Sequence, residues 1–375
     1  MIQVFSNSLD VIEAQAMMKV LYSKWLGRGE RCREFEQAWD RHIIQEGSLL
    51  FNCCTAASKV ALQALGVGRG DEVILPTCHF VGVANAVIEV GAFPRFADVD
   101  PMTMHILPSE IDRLRNQYTK AVFMLHYGGH AASMEDIMAA SEGLLVLEDA
   151  ANGPCTAVDG KAIGTFGDAG VWSFDAMKVL VMGDGGMLWL RDEEAQKRAE
   201  ALRYMGLAPK SKSGIDSSAE RDRWWEFDLV ECSGRYTSND VLAAAALMQM
   251  TRLPATVQRR RDIWRAYQTE LRDVPEITRP PEPLPGSTMT GYLYWIQCDD
   301  RDLLARYLLD NGVYTTFRYW PLHLVPYYRD MGLCPEALPN AERAAERTLC
   351  LPIHQNLTAA DVDKVISLVR EFYRR

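Results

Sequence analysis

The sequence predicts an α/β fold: a mostly parallel seven-stranded sheet in a three-layer αβα domain over residues 1–250, and a smaller α+β domain over residues 251–375. Three observations predict it. Seven short apolar or β-rich runs, most of them separated by helix-length segments, give the alternation of a parallel sheet covered by helices on both faces. Beyond Tyr236 the pattern changes, and a long helical stretch and a proline-rich connector lead into a mixed segment. With 375 residues, 48% of them hydrophobic, the chain can bury a large core and fill two domains.

Taken in order, residues 9–43 show helical periodicity broken at Leu26-Gly27-Arg28-Gly29, which predicts two helices joined by a turn. The seven strand-like runs are residues 49–52, 72–75, 93–97, 121–125, 144–147, 170–174 and 187–190. A helix is expected over residues 57–65, with Thr55 as its cap. Residues 209–220, rich in serine and lysine, read as a mobile surface loop. In the helical stretch 239–271, Pro254 predicts a kink or break. After the connector 275–285 come strand-like residues 291–298, a helix over 302–311, strand-like residues 313–317 and an amphipathic helix over 359–373.

Bulk properties exclude several classes. A formal net charge of -10, with no basic concentration beyond Arg259-Arg260-Arg261, disfavours nucleic acid and anionic membranes as partners. No apolar run is long enough to span a bilayer. Nine cysteines without paired spacing, and no signal-like amino terminus, predict reduced thiols in a cytoplasm. Seven dispersed histidines without a ligand-like cluster disfavour a metal site.

In sheets of this kind ligands bind beyond the carboxyl ends of the strands. That rule gathers Thr55 after the first run, Thr77, His79 and Phe80 after the second, His126 after the fourth, Glu148 and Asp149 at the fifth, and Asp175 to Lys178 after the sixth. Lys178 lies in a glycine-rich segment flanked by Ala176, Met177, Val179, Leu180, Val181 and Met182, a setting that predicts a neutral, nucleophilic amine. Free backbone N–H groups where the helix after Thr55 and Ala56 begins could hold a phosphate, and the Ser173 hydroxyl could serve the same anion. Each feature alone has a plainer explanation: capping for Thr55 and Asp149, core packing for Phe80, a solvated surface for a lysine. Together, a phosphate seat, an aromatic, a carboxylate and a lysine in this order fit pyridoxal 5'-phosphate, with the lysine in a Schiff base, the carboxylate on the pyridine nitrogen and the aromatic over the ring.

Long segments of the chain resemble the DegT/DnrJ/EryC1/StrS family of nucleotide-sugar aminotransferases, fold type I pyridoxal-phosphate enzymes. They include SKWLGRGERCREFEQAW, GRGDEVILPTCHFVGVANAVIEVGAFPRFADVD, LLVLEDAAN, GTFGDAGVWSFDAMKVLVMGDGG, GRYTSNDVLAAAAL and AERAAERTLCLPIHQNLTAADVDKVISLV. The resemblance implies that Lys178 is the Schiff-base lysine, Asp149 the pyridine-nitrogen partner, Ser173 a phosphate ligand, Thr55 and Ala56 the phosphate turn, and Phe80 the stacking aromatic. It also implies a homodimer in which Arg235 reaches the partner's phosphate site, and a sugar site shaped by Tyr319, Pro321, Leu322 and His323. Two positions depart from the family: Cys54 replaces the usual glycine before Thr55, and Asn152 replaces the glutamine or histidine near the ring oxygen. Because Lys178 is present, the branch that removes a sugar hydroxyl with a histidine in its place is disfavoured.

The implied reaction is transamination from glutamate to the ketone of a nucleotide-linked keto-sugar. A cyclitol or other non-nucleotide ketone is the alternative acceptor. A pyridoxal-phosphate-binding protein without turnover is the alternative outside enzymes.

Overall fold

A computed structural model of the chain describes residues 1–208, 226–333 and 336–374, so the expected loop over residues 209–220 lies outside the described residues. All seven predicted runs become strands of one sheet. They are β1 (Leu49–Phe51), β2 (Glu72–Pro76), β3 (Phe93–Ala97), β4 (Thr119–Leu125) and β5 (Leu145–Asp149), then, after a small hairpin of β6 (Ala157–Val158) and β7 (Lys161–Ala162), β8 (Ala169–Ser173) and β9 (Gly186–Leu190). Their spatial order is β1-β9-β8-β5-β4-β2-β3, with β9 running against its neighbours β1 and β8.

Helices cover both faces. In chain order they are α1 (Val11–Ser23), α2 (Glu30–Ile43), α3 (Cys54–Ala64), α4 (Val81–Glu89), α5 (Pro108–Leu114), α6 (Met134–Ala140), α7 (Glu193–Arg203) and α8 (Asp240–Glu270). Successive strand residues face opposite ways. Val73, Leu75, Ala121, Phe123, Leu125 and Leu147 therefore join a core shared with α2, α3, α4 and α7. Ile74, Val122, Met124 and Val146 join a second, with Ile111 of α5 and Ile137 of α6. Burial on both faces explains why the runs read as continuously apolar.

The remaining chain adds β10 (Ser287–Thr288), β11 (Tyr294–Gln297), α9 (Arg301–Asp310), α10 (Pro326–Asp330), α11 (Pro339–Arg347), β12 (Thr348–Leu351) and α12 (Ala359–Arg374). Strand β10 pairs with β6, and β11 pairs with β12 antiparallel. A third core gathers Ile263, Trp264 and Tyr267 of α8 with Tyr294, Ile296, Leu349, Leu351, Leu304, Leu308, Val365 and Val369.

Three expectations are corrected. Helix α3 begins at Cys54 rather than Ala57, and its cap is Cys53, not Thr55. Helix α8 continues from Asp240 to Glu270 with Pro254 inside it. A helix-interior proline costs about 3 kcal/mol, which the packing of α8 on α1 and α2 offsets, including a 2.7 Å bond from Gln249 Nε2 to Glu13 Oε1. Residues 313–317 form no strand. Single bridges tie Val313 to Ile2 and Thr316 to Cys350, and the partner of β11 is the later segment β12.

Candidate active site

The carboxyl ends of β2, β5 and β8 bring the expected residues to one side of the sheet. After β8 the chain turns sharply, with Met177 N–H donating to Asp175 Oδ1 at 2.9 Å and Lys178 N–H to the Asp175 carbonyl at 2.9 Å. Val179, Leu180, Val181 and Met182 are buried in the core, while the half-buried Lys178 amine lies among polar groups. Its Nζ donates to Asn152 Oδ1 at 3.1 Å and stands 4.8 Å over the Tyr292 ring.

The predicted neutral amine is not what these surroundings give. Burial works against the charge, but the oxygens of Tyr292 and Tyr319 and the Asp149 carboxylate outweigh it and hold Lys178 protonated, above its ordinary value. Apolar sequence neighbours misled because Val179 to Met182 pack into the core and Ala176 and Met177 are exposed, while the groups that meet the amine are polar or aromatic.

Asp149 ends β5 and is buried. Its Oδ2 lies 3.0 Å from His79 Nε2, and its Oδ1 accepts the Ala151 N–H at 2.9 Å. Burial opposes ionisation, yet His79, Lys178 and that N–H together hold the carboxyl below its ordinary range. His79 arrives from beyond β2, across β4, where its ring meets the edge of Phe123 at 6.2 Å. The sequence placed His79 among the converging residues but gave it no role; a histidine after a strand carries no signal for the carboxylate it will meet.

Asn152 is buried, with Oδ1 accepting from Lys178 and, at 3.5 Å, from the Tyr319 hydroxyl. Its Nδ2 and the Tyr292 hydroxyl are buried polar atoms without a partner among the described residues. Two donors left over beside one amine mark a place for acceptors from outside the chain. Tyr292, from the far end of the sequence, could not have been found by spacing.

At the start of α3, Cys53 Sγ accepts the Ala56 N–H at 3.4 Å. Sulfur is a weak acceptor, so an anion can replace it at Thr55 and Ala56. Cys54 opens helix α3 without a positive φ, so the position needs no glycine; the close approach falls at Gly186 of β9, where a Cβ would lie 2.5 Å from the Cys54 nitrogen. Phe80 precedes α4, 47% exposed and 6.1 Å from the Tyr319 ring. A Cβ on Gly82 would lie 2.5 Å from Thr55 Oγ1 and 2.9 Å from Phe80, so Thr55 and Phe80 approach each other over that glycine. Ser173 is half-buried at the end of β8, its Oγ 3.5 Å from the Asp175 nitrogen.

Other expected residues go elsewhere. Glu148 and His126 converge on each other, at 2.9 Å, rather than on Lys178. The Glu148 carboxylate also accepts the N–H groups of Gly164, Phe166 and Gly167, pinning that loop. His323 is buried, with Nδ1 2.8 Å from Thr77 Oγ1 and Nε2 3.2 Å from Glu342, so both ring nitrogens are occupied. Arg235 stands 5.8 Å over the Tyr204 ring, next to the β1 edge of the sheet.

Residues 7–370 match the DegT/DnrJ/EryC1/StrS aminotransferase family. A dTDP-4-dehydro-2,3,6-trideoxy-D-glucose 4-aminotransferase of Saccharopolyspora spinosa is 41% identical over 97% of this chain and 95% of its own length. The spore coat polysaccharide biosynthesis protein SpsC of Bacillus subtilis (strain 168) is 33% identical over 96% and 94%. Among solved structures, the aminotransferase TlmJ from Streptoalloteichus hindustanus superposes with a TM-score of 0.92 at 44% identity, covering 99% of this chain and 98% of that one. With full-length matches of this kind around a lysine and carboxylate at adjacent strand ends, the chain belongs to the DegT/DnrJ/EryC1/StrS aminotransferase family and is a pyridoxal-phosphate-dependent sugar aminotransferase.

Proposed function

We propose that this aminotransferase moves the amino group of glutamate to the ketone of a nucleotide-linked keto-sugar, forming an amino-sugar. The observation that carries this reading is the 41% identity, over 97% of the chain, to an enzyme named for amination of a dTDP-linked 4-dehydro sugar. The pocket residues fit the cofactor: the unpartnered Asn152 Nδ2 suits an acceptor on its ring, and the weakly capped start of α3 suits its phosphate. In this proposal Thr55, Ala56 and Ser173 hold the phosphate, Asp149 the pyridine nitrogen, Asn152 the ring oxygen, and Phe80 covers the ring.

When bound, pyridoxal phosphate would supply an electron-accepting ring and a carrier for the amino group. Lys178 moves the proton at the substrate carbon, as base and then as acid. It must be neutral for the first task. Asp149 is one of the groups that keep it charged, so the carboxylate that would hold the pyridine nitrogen also weighs on the proton balance of the amine. Tyr319 and Asn152 orient the amine through the bonds they share.

The same proposal makes the active unit a homodimer, with Arg235 serving the partner's phosphate site and residues 251–375 forming the smaller domain. Exposed apolar side chains on α1, among them Val11, Ile12, Leu21 and Tyr22, and the exposed Leu229 and Val230 support burial against a second copy. A monomeric mass in sedimentation would remove it.

The test is incubation of the holoenzyme with glutamate and a panel of nucleotide keto-sugars, reading 2-oxoglutarate and the aminated product by mass. No 2-oxoglutarate with any acceptor would sink the proposal. Turnover of a free ketone that thymidine diphosphate leaves uninhibited would move the acceptor to the non-nucleotide class.

A further inference from the structure

One cation beside Lys178 has no role in the site as described. Arg318 is half-buried, and its Nη2 lies 3.1 Å from the sulfur of Met177, the residue before Lys178. Its guanidinium stands 4.4 Å over the Phe5 ring and 6.0 Å over that of Tyr319. Phe5 in turn stacks on Tyr292 with ring centroids 5.5 Å apart, and Tyr292 carries the Lys178 amine over its face. Amine and guanidinium are thus the two cations of one aromatic wall.

Arg318 forms no ion pair with a described residue. Its neighbours hold it by ring faces, by a thioether and by a hydrogen bond to the Tyr319 hydroxyl, and none of them is a carboxylate. A half-buried guanidinium with no carboxylate against it keeps N–H donors that an incoming anion can take. Packing alone would be served by an apolar side chain in the same stack. The backbone is anchored as well, since the Tyr127 hydroxyl donates to the Arg318 carbonyl.

We propose that Arg318 is an anion subsite of the active site, taking a carboxylate or diphosphate oxygen of a substrate in a paired N–H···O contact. The inference rests on the transaminase reading above for the two anions it names: the carboxylate of the amino donor and the diphosphate of the nucleotide-linked acceptor. Both present the planar or tetrahedral oxygens that guanidinium binds.

The experiment uses the holoenzyme with Arg318→Gln and Arg318→Lys beside the unsubstituted protein. Maleate and thymidine diphosphate are the probes, titrated by calorimetry, while the absorbance of bound cofactor is followed. We expect Arg318→Gln to weaken one probe by about 10- to 100-fold, as lost charge-assisted bonds do, Arg318→Lys to fall between, and cofactor absorbance to stay the same. Weakened maleate assigns the donor carboxylate; weakened thymidine diphosphate assigns the acceptor's diphosphate. Affinities within about twofold of the unsubstituted protein for both probes, binding of neither by that protein, or cofactor loss in both variants would overturn the subsite. Probe binding needs no turnover, so a failure to aminate keto-sugars would remove the proposed function and leave this measurement standing.

Discussion

Lys178 and Asp149 each favour the charged form of the other, and His79 reinforces the carboxylate's side of that balance. Lys178→Ala should lose the absorbance of the lysine-bound cofactor and lower turnover by at least about a thousandfold; normal turnover would end its assignment. For Asp149 the sign runs from a depressed carboxyl: its contribution to stability is present above the unfolded value of about 3.9 and is lost as pH falls through the lower folded one. At neutral pH, His79→Leu leaves that buried carboxylate short of a donor. We expect about 1–3 kcal/mol of lost stability in denaturant titration of the apoprotein, most of it recovered by His79→Gln, which can donate from its amide. Equal losses in both variants would make His79 a matter of packing.

At the scale of elements, the pocket depends on close approaches that polar anchors and a glycine permit. Glu36 of α2 accepts the Leu50 N–H of β1 at 2.9 Å and is paired with Arg203 of α7, whose Nη1 also donates to the Leu50 carbonyl at 3.0 Å. One carboxylate therefore joins two helices to the sheet edge. Glu36→Ala leaves Arg203 with Glu200 as its remaining carboxylate and the Leu50 N–H without its acceptor, and should cost about 1–3 kcal/mol in denaturant midpoint analysis; no measurable loss would show that water replaces the Glu36 carboxylate. Gly186→Ala acts on the pocket itself, since the new Cβ meets backbone at Cys53 and Cys54, which cannot rotate aside. Displacing the start of α3 should cost about 1–3 kcal/mol and speed cofactor loss on dialysis. Unchanged retention would separate that helix start from the phosphate.

Across the molecule, acid sensitivity should come from histidines outside the pocket. Burial pushes His105 down to about 3 and His130 down to about 4. Both are neutral in the fold, while the unfolded chain protonates them below about 6.5. Their stabilising effect is complete above that pH and fades as pH falls toward 4 and then 3. Melting temperature should therefore drop steeply below about pH 6, and His130→Gln should flatten the slope there. A slope identical to that of the unsubstituted protein would move the acid response to other groups. No helix among the described residues is long and apolar enough to cross a membrane.

What the sequence determined by itself is what local chemistry encodes. Seven apolar runs at helix-length spacing set the strands, because strands buried on both faces must be apolar along their length, and each run reappears in the sheet. The same rule put Asp149 and Lys178 at strand ends, and long segments in register carried the family. Tertiary structure decided what depends on distant partners. Pro254 stays helical because α1 and α2 pack along α8, and residues 313–317, strand-like in sequence, form only single bridges while β11 pairs with β12. Glu148 and Asp149 are adjacent in sequence, yet one pins a loop and the other meets His79. Successive strand residues face opposite sides, and only the folded sheet says which side holds the pocket. For the same reason Lys178, apolar by its neighbours in the chain, is polar by its neighbours in space: charge responds to what lies within a few ångströms, and here that is Asn152, Tyr292 and Asp149.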